Sequence, residues 1–334
     1  MSIIQITKLD TVFSGIEKDL KEMQDKFNKH HFIKLSNFLE PELLHCIQEG
    51  IEKAGFNEGR YMVEDGYAAD YRLKDKSMDN LLRFLINDEN LFQLIQKITN
   101  CSKIGSFNGE TYRMNPDKNH YDNWHTDNWD NRMISISINL STDIYSGGIL
   151  QIRDISSKEI VHEVANIGFG DCIIFRVSPK LEHRVTNVEG KFSKTAFPGW
   201  FKSKPNYRSF FEKETVQFKK STTTTKLTSF EHSAIVANKE FYTRNFKENF
   251  LIFNPSNAKC YSLNSIGEKV FNLIQDPISI KEIEDHIQNE YEIDREQCKQ
   301  DILDLLQDLA TNNLINVLNK ETRLVTSSPS VTKT

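Results

Sequence analysis

No apolar run in the chain approaches the roughly 18 residues that a membrane helix needs, which excludes a spanning helix. Cysteine is scarce and scattered: five residues, at 46, 101, 172, 260 and 298, odd in number and without a CxxC pair. That pattern excludes a disulfide frame and predicts reduced, packed thiols. A basic surplus is also missing. The net charge is −5, so no general attraction to nucleic acid or anionic membrane is expected. Residues 1–10 lack the basic region and apolar core of a secretion signal. No internal repeat is present. Together these absences lead us to expect a cytoplasmic protein, and 334 residues are enough for two domains.

What the chain does contain is concentrated between Tyr112 and Phe201. His125-Thr126-Asp127 places two ligand types at i and i+2. On an extended backbone both side chains leave one face, because strand side chains alternate with period two. The run Met133-Ile-Ser-Ile-Ser-Ile138 alternates as a half-buried strand does. A second imidazole, His183, follows 56 residues after Asp127. Two imidazoles and one carboxylate on one face of an Fe(II) leave coordination positions open for chemistry. A competing H-x-D, His120-Tyr-Asp122, lies five residues upstream in a polar stretch. We place the metal on His125, Asp127 and His183, since His125 stands nearer the following strand. The remaining histidines fall in helical or linker contexts, or, for His162, on an alternating surface strand.

This stretch resembles the 2-oxoglutarate/Fe(II) dioxygenases of the prolyl hydroxylase type. The resemblance is carried in order by His125-Thr-Asp127, Ile138-Asn139-Leu140, Tyr145-Ser-Gly-Gly-Ile-Leu-Gln-Ile152, Asp171 to Phe175, Glu182-His183-Arg184-Val185 and Lys194 through Trp200-Phe201. It implies Fe(II) as the metal, with 2-oxoglutarate and O2 as co-substrates. It also implies that Lys194, eleven residues after His183 and six before Trp200, grips the far carboxylate of 2-oxoglutarate. A lysine does this as a point charge rather than a bidentate fork. The family often has a tyrosine where this chain has Asn139, which makes Asn139 or Tyr112 the second contact to that carboxylate. The implied reaction turns 2-oxoglutarate and O2 into succinate and CO2 and delivers a hydroxyl group to a substrate. Because Asp127 is a carboxylate, hydroxylation is favoured over halogenation.

Around this core, residues 11–110 read as helices with a few strands. Val12, Ile16, Leu20, Met23 and Phe27 predict an amphipathic helix within 11–28, Phe32–Leu35 a strand, Glu40-Pro41 a helix start, and 78–98 one or two helices. Turn signals at Asn115-Pro116, Gly147-Gly148, Gly168-Phe-Gly170 and Glu189-Gly190 separate short strands, the spacing of a jelly roll. The overall class is α+β: a double-stranded β-helix (jelly roll) with N-terminal bracing helices over 1–218, then a second, smaller domain.

Residues 219–230 are rich in Lys, Ser and Thr and read as a linker. Residues 231–320 carry nine Lys/Arg against fifteen Asp/Glu, which accounts for the chain's negative balance. They predict strands over 240–246, 249–253 and 258–263, then three helices opened at Ser265-x-x-Glu268, Ser279-x-x-Glu282 and Asp294-x-x-Gln297. That is a winged-helix outline. The last helix is dominated by Asp and Glu, the wrong sign for phosphate, so DNA binding is not expected. The run from Leu251 to Asn264 resembles the PqqD-like peptide-binding domain, or RiPP recognition element. The resemblance implies that a precursor's leader adds a strand along Lys259, Cys260, Tyr261, Ser262, Leu263 and Asn264. Residues 321–334 read as a disordered tail. The combined expectation is a dioxygenase that hydroxylates a ribosomally made precursor peptide. The alternatives are an oxygenase of a free small molecule and a non-enzymatic peptide carrier.

Overall fold

A computed structural model describes residues 3–63, 66–116, 120, 122–165, 168–205, 215–217, 233–246, 249–255, 259–291 and 294–318. The proposed linker at 219–230 and tail at 321–334 lie outside the described residues. The chain divides into two compact units, Met1–Lys213 and Glu214–Thr334.

The first unit opens with a two-stranded ribbon, β1 (Ile4–Ile6) and β2 (Thr11–Phe13), followed by α1 (Glu17–His30). The predicted helix over 11–28 is therefore shortened at its start. Val12 lies in β2 and Ile16 is the exposed N-cap, so only Leu20, Met23 and Phe27 of the apolar series are buried by the helix. The series fits period 3.6, but ladder pairing of Thr11–Phe13 with Ile4–Ile6 overrides it. Then come β3 (Phe32–Leu35), α2 (Pro41–Ala54), β4 (Phe56–Val63), β5 (Gly66–Leu73), α3 (Ser77–Ile86) and α4 (Glu89–Thr99). The β4–β5 hairpin was not foreseen. Helix α2 starts at its proline, and Asp88 caps α4 by accepting the Leu91 amide proton.

The remaining strands of this unit are β6 (Ser106–Gly109), β7 (Tyr112–Met114), β8 (Asp122–His125), β9 (Arg132–Asn139), β10 (Ser146–Gly147), β11 (Leu150–Asp154), β12 (Ile160–Val164), β13 (Cys172–Arg176), β14 (Leu181–Val185), β15 (Val188–Glu189) and β16 (Lys194–Lys202). They form two main sheets. The larger has the order β3-β13-β9-β16-β7-β5-β4, with β6 also on β16; the smaller is β12-β11-β14-β8. Leu150, Ile152 and Val164 of the small sheet pack against Ile173 and Phe175 of the large one. This is a jelly roll. Strand β9 lies between β13 and β16 rather than at an edge, so Ser135 is buried beside the isoleucines and its hydroxyl donates to the Gly199 carbonyl.

The second unit contains β17 (Thr215–Gln217), β18 (Ala234–Ala237), β19 (Tyr242–Phe246), β20 (Asn249–Asn254), β21 (Lys259–Leu263), α5 (Ser265–Leu273), β22 (Ile278–Ser279), α6 (Ile280–Glu290), α7 (Arg295–Thr311) and β23 (Ile315–Leu318). One sheet has the order β17-β21-β20-β19, the other β22-β18-β23. The three helices cover a core that includes Ile252, Tyr261, Val270, Ile283, Ile302 and Leu306. The cap of α5 is Asn264, which accepts the Gly267 amide proton, not Ser265 as the sequence pattern had it. Asn264 therefore stands outside the strand. The Ser279–Glu282 box and the Asp294 cap form as read.

Candidate metal and co-substrate site

The site lies where β8 and β14 of the small sheet face β16 of the large one. His125 ends β8 and is paired in register with His183 on β14, which brings their rings to 4.3 Å between centroids. Asp127 is two residues past the strand end, not on it, and is 5% exposed. The convergence expected from strand alternation is thus reached partly by the turn. His125, Asp127 and His183 each offer a ligand atom, and these atoms lie within 4.8 Å of one another.

Hydrogen bonds fix the orientation of each. His125 Nδ1 is 2.7 Å from the Asn123 carbonyl oxygen, which can only accept, so the ring donates there and leaves Nε2 toward Asp127. Both Asp127 oxygens are held. Arg132 Nη1 donates to Oδ1 at 2.8 Å, Trp200 Nε1 donates to Oδ2 at 2.6 Å, and His183 Nε2 lies 3.3 Å from Oδ2. Burial alone would raise the Asp127 carboxyl. The His183 hydrogen bond, the charges of His183 and His125, and the Trp200 indole reverse this and hold it well below the usual carboxylate range. The group is an anion in the folded chain, as a metal ligand must be. The Arg132 guanidinium is itself stacked between Trp129, at 3.8 Å, and Trp200, at 3.5 Å.

Lys194 opens β16, and Trp200 follows at an even spacing on the same strand, so both leave one face. That alternation is the physical reason for the six-residue offset. Lys194 is buried, donates to the Gly148 carbonyl at 2.7 Å, and stands 5.9 Å from the Tyr145 ring centroid. Burial pushes its ammonium down to about 8, with the Asp122 carboxylate pulling it back. Tyr112 on β7, Tyr145, Met114, Val188 and Ala196 form the apolar cluster beside it.

Asn139, at the end of β9, does not face this cluster with a free amide. Its Nδ2 donates to the Gly168 carbonyl at 2.9 Å, and its Oδ1 accepts the Ser141 amide proton at 3.1 Å. It ties down a loop. Sequence reasoning passed over Tyr145, whose phenol burial pushes upward. Its place just before Gly147-Gly148 was a usable signal, because that turn supplies the carbonyl Lys194 holds. Arg132 was also missed as a partner of Asp127. Arg153 and Arg184 are engaged elsewhere, with Glu182 and the Gln151 amide oxygen.

His120 is buried and separate from the cluster. Its Nδ1 accepts the Asn115 amide proton at 3.0 Å, and its ring meets Tyr71 edge-on. Asp122, by contrast, opens β8, 3.4 Å from His125 Nδ1, and burial raises its carboxyl.

Gly148 has φ +58°, and a Cβ there would lie 2.8 Å from Lys194 Cδ. Gly148→Ala should therefore both strain the turn and displace the lysine. We expect a loss of about 1–3 kcal/mol in stability, read by denaturant melts, and a raised 2-oxoglutarate requirement.

Comparison with known proteins gives two family matches. The model described as 2OG-Fe(II) oxygenase superfamily matches residues 109–202, and that described as Coenzyme PQQ synthesis protein D (PqqD) matches residues 250–315. No curated protein matches the chain. Among solved structures, an oxidoreductase of the 2OG-Fe(II) oxygenase family from Burkholderia pseudomallei is similar at 12% identity, covering 60% of this chain and 95% of its own, with a TM-score of 0.45. A Pseudomonas putida prolyl-4-hydroxylase is similar at 16% identity, with coverage of 55% and 99% and a TM-score of 0.42. TbiB1, solved in complex with the TbiA(beta) leader peptide, is similar at 21% identity over 24% of this chain and 94% of its own, with a TM-score of 0.23. Two imidazole nitrogens and an ionised carboxylate fit Fe(II), and a buried ammonium among apolar side chains fits a carboxylate-bearing co-substrate. The chain therefore carries a 2OG-Fe(II) oxygenase domain over residues 109–202, with a His/Asp/His set able to hold Fe(II), and a PqqD-like domain over residues 250–315.

Proposed function

We propose that this dioxygenase hydroxylates a side chain in the core of a ribosomally made precursor peptide and recruits the precursor's leader through the second unit. The observation that carries the reading is the presence, in one chain, of an oxygenase core with a complete His/Asp/His set and a PqqD-like domain. Iron and 2-oxoglutarate, when bound, supply the oxidising chemistry, with succinate and CO2 as co-products. The chain's own residues do the rest. His125, Asp127 and His183 hold the metal, Arg132 and Trp200 fix the Asp127 carboxylate, and Lys194 takes the distal carboxylate with Tyr112 and Tyr145 beside it. Along β21, residues Lys259 to Leu263 would give main-chain hydrogen bonds to an extended leader on the edge that β17 occupies in the free chain. Asn264, spent on the α5 cap, marks the end of that edge.

Tethering through a leader raises the local concentration of the core peptide, so the iron pocket can bind its target weakly. The test is direct. Short peptides encoded beside this gene are incubated with the chain, Fe(II), 2-oxoglutarate and O2, and mass spectrometry looks for the gain of one oxygen. The full precursor should be modified about 100-fold faster or more than the same core lacking its leader. Equal rates with and without the leader would remove the recruitment role and favour a free substrate.

A further inference from the structure

Strand β21 has two edges, and both are occupied. β20 pairs along one, from Phe250 opposite Leu263 to Asn254 opposite Lys259. The other carries β17, with Thr215 opposite Cys260, Val216 opposite Tyr261 and Gln217 opposite Ser262. β17 does not belong to the meander β19-β20-β21. It precedes that meander in sequence and immediately follows the first unit, which ends at Lys213. It also runs parallel to β21, whereas every other pair in this sheet is antiparallel.

An open strand edge presents unpaired amides and carbonyls and invites any extended chain, including another copy. A segment of the same chain lying there satisfies those groups. Thr215 and Val216 are β-branched residues suited to a strand. The pairing is nevertheless built to be lost. It spans three residues where β21 has five, and parallel ladders are slightly weaker per residue than antiparallel ones.

We propose that Thr215–Gln217 is an intramolecular placeholder on the peptide-accepting edge of the second unit, and that an incoming extended peptide binds by displacing it. The inference deepens the leader-recruitment reading and rests on it for the identity of the natural displacing peptide. Two consequences follow. Peptide affinity is reduced by the fraction of chains whose edge is open. Displacement also frees Thr215–Gln217 from the sheet, adding three residues to the chain that can extend between Lys213 and the second unit's core. Each added residue extends the reach by at most about 3.3–3.6 Å.

The probe is a fluorescein-labelled synthetic peptide of residues 211–220, Phe-Glu-Lys-Glu-Thr-Val-Gln-Phe-Lys-Lys. It is titrated into the full chain and into the full chain carrying Thr215→Pro, Val216→Gly and Gln217→Pro together. The substituted chain should bind it at least about 10-fold more tightly. Hydrogen exchange across Lys259–Leu263 should be faster in the substituted chain and slowed again by the peptide. A second variant works in the opposite direction. Thr215→Cys would be the backbone register partner of the native Cys260 at the spacing of adjacent strands, and oxidation should lock the placeholder in place. The oxidised chain should not bind the probe, and reduction should restore the affinity of the unsubstituted chain. Equal binding by all forms, exchange unaffected by the substitutions, or failure of the Thr215→Cys pair to cross-link would overturn the placeholder. None of these readouts uses a precursor, so the leader reading stands or falls separately on the mass-spectrometric experiment.

Discussion

Asp127→Ala or His183→Ala should abolish Fe(II) binding and turnover together, while His120→Gln leaves both largely intact. Removing a partner that merely orients a ligand costs about 10- to 100-fold in metal affinity, and removal of a ligand itself should exceed the upper end of that range. Asp127 carries more than its own bond. It anchors Arg132, Trp200 and His183 simultaneously, so alanine leaves a buried guanidinium without its carboxylate. Stability should fall as well, which makes Asp127→Asn the sharper variant because it keeps the shape and removes the charge. His120→Gln retains an acceptor for the Asn115 amide and touches none of the three ligands. Anaerobic calorimetry with Fe(II) or Mn(II), followed by succinate formation, reads both. Full activity in Asp127→Ala would falsify the site.

The second large effect is expected at Lys194. Lys194→Ala should raise the 2-oxoglutarate KM roughly 10- to 150-fold, the cost of losing one charge-assisted hydrogen bond, with Fe(II) affinity nearly unchanged. The pH dependence has a definite sign. Burial lowers the ammonium to about 8 before the co-substrate binds, and the co-substrate carboxylate needs the protonated form. Below about pH 8 the lysine is already charged and KM should be flat. Above it each further pH unit should weaken binding by up to about tenfold, because binding must then take up a proton. In Lys194→Ala that rise should vanish. An unsubstituted chain whose KM is flat to pH 9.5 would remove Lys194 from the role.

The candidate metal-binding stretch was legible because its signals are local. The even offset from Lys194 to Trp200 follows from strand geometry, and the i, i+2 spacing of His125 and Asp127 marks the pair although the turn after β8 completes their convergence. What escaped depends on pairing between distant segments. Thr11–Phe13 reads as the first turn of α1 until Ile4–Ile6 is available to pair with it. Asn139 looks like a site residue by position, but its amide is taken by Gly168, which nothing nearby in sequence announces. Arg132 likewise reads as an ordinary strand-end cation until Trp129 and Trp200 close around it. The β17–β21 pairing is the extreme case, since three residues next to a polar run carry no periodicity to detect.

The chain has three tryptophans, Trp124, Trp129 and Trp200, and all fall in the first unit. Trp129 and Trp200 enclose the guanidinium bound to Asp127, while Trp124 lies beneath Arg153 and Arg184 on the strand that ends in His125. Excited at its red edge, the protein should therefore report optically on the first unit and its candidate metal centre. A paramagnetic ion at His125, Asp127 and His183 should quench Trp200 emission, and titrating it gives an affinity without labels. The second unit is dark at that wavelength, so peptide capture there can be followed separately through a visible dye on the peptide while the tryptophan signal follows the metal. Metal loading and peptide capture can then be timed independently in one unmodified chain.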